Sequence, residues 1–317
     1  MSSNSSQPSW LVIVNPNAGN GKGKKDWDMI SSALKSKGID FDFRFTAGKD
    51  DATLFTAGAI EKGYRKIITA GGDGTLNEVL NGVFRSGTDK AADITLALIP
   101  VGTGNDWARQ FGIPSDYNKA ADLIREEKFI LQDVGVLDYS DGEQKKRRHF
   151  INTAGFGFES AVVKRTNYQK DKGRGGKLVY LYNLVASLLT YRNSIMEIEI
   201  DGTKIREKVF SVNVGNGKYC GGGMRQTPDA DPTDGLLDVS VIMDMSKFEV
   251  IRNINILYDG TILKHPLVKG FRCKNIRVSS ESVIYTEADG EYLGHTPAEF
   301  SILPSAIRIV YGTGLSQ

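Results

Sequence analysis

The chain has 317 residues with 40 Lys and Arg against 38 Asp and Glu, and 40% of it is hydrophobic. A formal net charge of +2 leaves no global field to hold nucleic acid, and that apolar fraction excludes a chain that cannot build a core. Two cysteines, Cys220 and Cys273, cannot supply a disulfide framework or a zinc site and suit a reducing cytosol, while the length allows two domains with separate cores.

Met1 to Ser9 is polar and Ser-rich, so it is expected to be frayed, and no signal-peptide h-region opens the chain, which points to the cytoplasm. The next stretch alternates in period. Strands are predicted at 10–14, 41–45, 66–70 and 94–99, and helices at about 25–37, 50–62, 75–85, 105–111 and 117–127. Such alternation reads as an α/β domain with a parallel sheet. After about Leu131 the runs become β-rich, with hairpin signals at Asp141-Gly142 and Asp201-Gly202 and helices around 157–168, 176–191 and 246–258. This reads as a second, mainly antiparallel domain. Within it Leu178 to Tyr191 is strongly apolar but shorter than the ~20 residues that span a bilayer, so it is expected to be a buried core helix, with a lipid entry groove as the other reading.

Three glycine loops leave three of the predicted strands. Gly71-Gly72-Asp73-Gly74-Thr75 follows Lys66 to Ala70 and opens a helix. Glycines let backbone N–H groups close on a phosphate, the helix N-terminus adds a positive dipole end, and Asp73 stands where a phosphate-bound Mg²⁺ would sit. The expected ligand is a nucleotide polyphosphate. Asn15-Pro16-Asn17-Ala18-Gly19-Asn20-Gly21 follows the first strand, and Pro100-Val101-Gly102-Thr103-Gly104-Asn105-Asp106 follows the fourth. Loops leaving the carboxyl ends of parallel strands meet at one crevice. A P-loop is excluded, because Lys24 stands five positions after Gly19 where that motif needs Gly.

These three motifs, together with Leu76-Asn77-Glu78, Trp107-Ala108-Arg109 and a late Asp289-Gly290-Glu291, resemble the diacylglycerol kinase catalytic family over about Trp10 to Tyr311. GGDGT alone is shared with NAD kinases, which are not expected to carry the other two motifs with it. The resemblance implies an ATP- and Mg²⁺-dependent kinase that phosphorylates diacylglycerol or a related lipid alcohol. Sphingoid-base, ceramide or polyprenol kinases stand as alternatives, and a non-catalytic nucleotide or lipid sensor as a third class. It implies a nucleotide-binding α/β domain of residues 10–133 with 304–317 and a β-sandwich lipid-substrate domain of residues 134–303, the final strand Ala306 to Tyr311 returning to the first. An active site in the cleft between domains and a homodimer are also implied.

By the same resemblance Asn15, Pro16, Asn17, Ala18, Gly19, Gly72, Asp73, Gly74, Thr75, Leu76, Asn77, Glu78, Thr103 and Gly104 surround ATP, and Thr46 joins them from the loop after the second strand. Asp73 and Asp106 are the choices for the Mg²⁺ shell. A lipid alcohol is a poor nucleophile and benefits from a proton acceptor. Glu291 is expected in that role with Asp289 beside it, their exchange being the other possibility; without the resemblance, Asp-Gly reads as a hairpin turn.

Asp229 to Gly235 is rich in carboxylates, but Asp234 and Ser240 stand where an EF-hand needs Gly and an acid. The resemblance implies instead a structural Mg²⁺ held by Asp231, Asp234 and the carbonyl of Leu236. Lys22, Lys24, Lys25 and Arg109 are candidates for ATP or an anionic headgroup, and peripheral contact with a membrane surface is expected through them. Lys145-Lys146-Arg147-Arg148 reads as a solvated turn, and His149, His265 and His295 show no metal or triad spacing.

Overall fold

A computed structural model describes residues 9–171 and 177–312. The frayed segment expected at Met1 to Ser9 lies, apart from Ser9, outside the described residues. The chain divides into two compact units, one of residues 1–132 with 305–317 and one of residues 133–304.

The first unit contains β1 (Trp10–Val14), α1 (Ala18–Lys25), α2 (Trp27–Ser36), β2 (Phe41–Phe45), α3 (Asp51–Glu61), β3 (Lys66–Gly71), α4 (Asp73–Arg85), β4 (Thr95–Pro100), α5 (Asp106–Gln110) and α6 (Tyr117–Glu126). β1 pairs in parallel with β2 on one side and β3 on the other, and β4 lies beyond β3, also parallel. All five residues of β1 are buried, which is why its sequence, WLVIV, is continuously apolar rather than alternating. The strand order 2-1-3-4 reverses direction between β1 and β3, and the crevice outside such a reversal is where open α/β sheets bind ligands. The loops after β1 and β3 flank that point.

One helix was not legible in the sequence. α1 covers the expected glycine loop, and Gly19, Asn20 and Gly21 inside it are left-handed, with φ of 60°, 60° and 89°. The chain therefore makes a left-handed turn before Lys22 rather than running straight into a helix at about 25.

The second unit opens with β5 (Phe129–Asp141), whose first residues belong to the first unit, and continues with β6 (Gln144–Phe150), β7 (Thr153–Gly157), α7 (Phe158–Asp171), α8 (Lys177–Thr190), β8 (Ser194–Ile200) and β9 (Thr203–Gly215). β10 (Leu237–Met243), α9 (Lys247–Arg252), α10 (Ile256–Asp259), β11 (Val268–Cys273), β12 (Asn275–Ser280), β13 (Tyr285–Ala288) and β14 (Glu291–Val310) follow. Both predicted hairpins form: Asp141 pairs with Gln144 around Gly142, and Ile200 with Thr203 around Asp201-Gly202. The predicted helix at 246–258 is broken into α9 and α10.

The antiparallel pairings run from β9 to β7, β13, β14, β12, β8 and back to β9. Long strands β9 and β14 thus serve both faces, and the circuit closes over Phe150, Phe156, Phe300, Met196 and Val212. The end of β14 belongs to the first unit, where Arg308 and Ile309 pair in parallel with Thr95 and Leu96 of β4.

α8 corrects the expectation of a buried core helix. Leu188 is buried, but Tyr182, Val185 and Leu189 are exposed at 62%, 47% and 68%. Its polar residues Asn183 and Ser187 are buried too, so the helix turns a polar stripe inward and leaves apolar residues outside, the reverse of the usual amphipathic pattern.

Candidate nucleotide site and acid turn

The three glycine loops of the first unit close on one another. A Cβ on Gly102 would lie 2.6 Å from the Cα of Gly72, and a Cβ on Gly19 would lie 2.2 Å from the carbonyl oxygen of Val101. Both approaches require glycine, since real Cβ atoms do not come within 3.0 Å of another heavy atom. Asn15 Nδ2 donates to Thr75 Oγ1 at 2.9 Å, which ties the first loop to the second. Thr46 stands buried at the end of β2 with its N–H on Val14 O at 2.9 Å, next to the start of the first loop.

α4 starts at Asp73, with Gly72 as its N-cap, so the first-turn N–H groups of Gly74 and Thr75 form part of this cradle. Gly74 is the telling residue. A Cβ there would meet nothing within 4 Å and its φ is not left-handed, so neither packing nor backbone geometry calls for glycine.

Asp73 reaches the third loop. Its Oδ2 accepts the N–H of Asp106 at 3.1 Å and its Oδ1 that of Trp107 at 3.0 Å. Burial pushes the Asp73 carboxyl above its usual range; the Trp107 N–H opposes this, and the nearby Asp106 carboxylate adds to the rise. Arg109 Nη1 pairs with Asp106 Oδ1 at 2.6 Å, which holds this exposed arginine beside the buried carboxylate. Asn105, left-handed at φ 49°, donates to Gly102 O at 2.8 Å. Its Oδ1 is buried and has no hydrogen-bond partner among the described residues. Two adjacent carboxylates and an unmet carbonyl oxygen are a donor set for a hard cation. The residues present therefore fit Mg²⁺ bound to phosphate.

Several expected contacts take another form. Leu76 is fully buried and can offer the site only its backbone. Glu78 Oε2 accepts the Ala52 N–H at 3.2 Å and so caps α3, while Asn77 Oδ1 accepts from Asn81 at 3.1 Å. Asn17 donates its N–H to Asn15 Oδ1 at 3.0 Å, and Ala18 donates to Asn15 O at 3.2 Å, so Pro16, Asn17 and Ala18 shape the first loop. Thr103 and Gly104 lie on the third loop between Gly102 and Asn105.

In the second unit the late acidic motif is a tight turn between β13 and β14, with Asp289 at φ 48° and Gly290 at φ 77°. Asp289 Oδ2 accepts from Ile151 N at 2.8 Å, and its Oδ1 accepts from Asn152 N at 2.9 Å and Thr153 N at 3.1 Å. One carboxylate thereby organises the start of β7. Glu291 is held by Arg148, whose Nη2 lies 2.5 Å from Glu291 Oε2, both side chains being mostly buried. Arg148 is thus not part of a solvated turn. Gly290 N donates to Glu287 Oε2 at 3.0 Å, and Glu287 is 2% exposed.

The acidic loop before β10 is braced by the protein itself. Asp231 Oδ1 accepts from Thr233 N and Oγ1, Asp234 Oδ1 accepts from Leu236 N, and Asp234 Oδ2 pairs with Arg272. Among the described residues no three His, Cys, Asp or Glu side chains converge in a metal-binding group.

A narrow cavity of about 80 Å³ lies within the second unit between α7, β9, β10 and the α9–α10 segment. Phe158, Val162, Phe210, Ile242 and Leu257 line much of it. Since a water-sized group needs about 10–15 Å³ of such space, the cavity admits several.

Comparison with known proteins agrees with this arrangement. Residues 9–137 match the pattern of the diacylglycerol kinase catalytic domain, and residues 152–311 match that of the YegS C-terminal NAD kinase beta sandwich-like domain. The chain therefore belongs to the diacylglycerol kinase catalytic family. A diacylglycerol kinase of Mycobacterium tuberculosis is 31% identical over 302 residues, covering 94% of each chain. One from Staphylococcus carnosus is 28% identical over 298 residues, covering 94% of this chain and 93% of its own. The crystal structure of a diacylglycerol kinase from Bacillus anthracis superposes with a TM-score of 0.70 at 26% identity, covering 96% of this chain and 97% of the other. Yeast NADH kinase complexed with NADH, at 13% identity and a TM-score of 0.55, shares the fold.

Proposed function

We propose that this protein transfers the γ-phosphoryl group of ATP to a hydroxyl of diacylglycerol or a related lipid alcohol. The observation that carries the reading is the closure of three glycine loops over Asp73, Asp106 and the unmet Asn105 Oδ1. Phosphoryl transfer asks the protein for positioning and for charge stabilisation. The backbone N–H groups of Gly74 and Thr75 hold phosphate oxygens, and Asp73 with Asp106 would hold Mg²⁺, which when bound neutralises phosphate charge. Arg109 keeps the Asp106 carboxylate in place.

Glu291 is the proton acceptor for the lipid hydroxyl in this reading, and Arg148 sets its orientation. Asp289 is a positioning residue, because its two oxygens are engaged by three backbone N–H groups. The apolar cavity suits a hydrocarbon chain. Exposed Tyr182, Val185 and Leu189 of α8 and Phe248 and Ile251 of α9 suit peripheral contact with a membrane surface, and Lys247 Nζ on the Leu189 carbonyl joins the two helices. No helix of the described residues is long and apolar enough to cross a membrane. Asp231, Asp234 and the Leu236 carbonyl remain the proposed holders of a second, structural Mg²⁺, which would have to displace the Arg272 pairing.

The test is transfer of labelled γ-phosphate from ATP, with and without Mg²⁺, to micellar diacylglycerol, sphingosine, ceramide, monoacylglycerol and undecaprenol, with NAD as a soluble control. Mg²⁺-dependent label on diacylglycerol is the expected result. Label on NAD alone would replace the lipid reading, and label on a different lipid would replace the substrate.

A further inference from the structure

Two amide side chains on the wall of the apolar cavity each leave a polar atom unmet. Asn213 of β9 is 1% exposed, and Gln226, on the segment before β10, is 8% exposed. Asn213 Nδ2 and Gln226 Oε1 have no hydrogen-bond partner among the described residues, although both side chains line the cavity. Buried polar atoms are otherwise nearly always paired.

The strand ladder explains why Asn213 is not. Asn213 stands opposite Gly155 of β7, which has no side chain to meet it, and opposite Ser240 of β10. Ser240 Oγ is committed to the backbone carbonyl of Gln226 at 2.6 Å, and Ser211 Oγ to that of Phe156 at 3.0 Å. The Gln226 side chain is fixed by a hydrogen bond to Glu159, which also receives one from Cys220. Burial raises the Glu159 carboxyl to about 7, and burial together with Glu159 raises Glu287 well above its usual range. The wall is therefore mostly hydrocarbon with one unmet donor and one unmet acceptor, and burial holds part of the Glu159 population uncharged at neutral pH.

We infer that Asn213 Nδ2 is an uncharged recognition point for a neutral glycerol ester, donating to an ester carbonyl while the lipid's single hydroxyl is left to Glu291. The inference rests on the lipid reading above and adds what that reading leaves open, the linkage by which chain and glycerol are joined. A lipid alcohol whose chains are joined through ether oxygens brings the same hydrocarbon and the same hydroxyl but no projecting carbonyl, so Asn213 is offered only an ether oxygen set back in the chain. Sites built to hydrogen-bond a group discriminate against analogues that lack it.

The experiment compares short-chain dihexanoylglycerol with dihexylglycerol, its ether analogue, in equilibrium dialysis against the full chain without ATP, and in phosphate transfer with ATP and Mg²⁺. The wild-type protein is expected to bind the ester about tenfold more tightly, the worth of one good hydrogen bond. Asn213→Leu removes the preference while leaving ether binding and the KM for ATP unchanged. Equal binding of ester and ether by the wild-type protein, a comparison that needs no variant, overturns the inference even if both are phosphorylated. An ester preference without phosphate transfer leaves the inference standing and removes the kinase reading, and binding of neither lipid removes both.

Discussion

Gly74→Ala separates stability from nucleotide binding. Gly74 lies in the first turn of α4, its φ is not left-handed, and a Cβ there would have nothing within 4 Å. Within the protein alone, alanine is the better residue: it removes unfolded-state freedom and raises helix propensity, together worth roughly 0.5–1 kcal/mol. The variant should therefore melt slightly higher. A bound phosphate reverses the sign, because the added methyl holds it away from the α4 N–H groups. Losing one or two hydrogen bonds to a charged group costs about 1.5–3 kcal/mol each, so nucleotide affinity should fall at least tenfold. Thermal melting and calorimetric titration with an ATP analogue read the two quantities on one sample. A variant that melts higher and binds the nucleotide as tightly as the parent would refute the phosphate cradle at α4.

Three further outcomes are expected. Asp289→Ala strands the N–H groups of Ile151, Asn152 and Thr153 and should lower stability by about 2–4 kcal/mol in urea unfolding, about 1 kcal/mol for each of three part-buried groups, at the low end of the about 1–3 kcal/mol of a buried one; an unchanged midpoint would remove its positioning role. Glu159 keeps its proton to about pH 7 in the folded state and loses it near the ordinary carboxyl range when unfolded, so the folded protein binds the extra proton and stability falls as pH rises through that window. Glu159→Gln should flatten the decline in melting temperature between pH 5 and pH 8, and an identical slope would contradict the burial argument. Leu189→Glu with Phe248→Glu should weaken flotation with lipid vesicles while leaving transfer to soluble short-chain lipid unchanged, and undiminished flotation would move membrane contact to another face.

The alternation of strand and helix in the first unit was legible because β1, β3 and β4 are buried on both faces and the turns after them need glycine. The closure of the three loops was legible for a related reason: their close backbone approaches restrict residue choice locally. Asn105 could have been singled out within its motif, since Asn is among the few residues that tolerate a left-handed backbone. Arg148 could not, because its partner Glu291 is 143 residues away and the run of basic residues looks like solvated charge until β6 turns one face inward. α8 misled for a physical reason: it buries Asn183 and Ser187 and leaves apolar residues outside, the reverse of the pattern by which an amphipathic helix is read. Asn213 carries no local signal at all; only the ladder positions of Gly155 and Ser240 leave it unmet.

The most direct test of the account is transfer of γ-phosphate from labelled ATP to micellar diacylglycerol by the wild-type protein and by Asp73→Ala, with Mg²⁺ present and each protein's fold checked by circular dichroism. The account predicts label on the lipid hydroxyl with the wild-type protein and none with the folded variant. Undiminished transfer by Asp73→Ala would contradict the assignment of the three-loop site, and a wild-type protein that binds ATP yet labels no lipid would contradict the function itself.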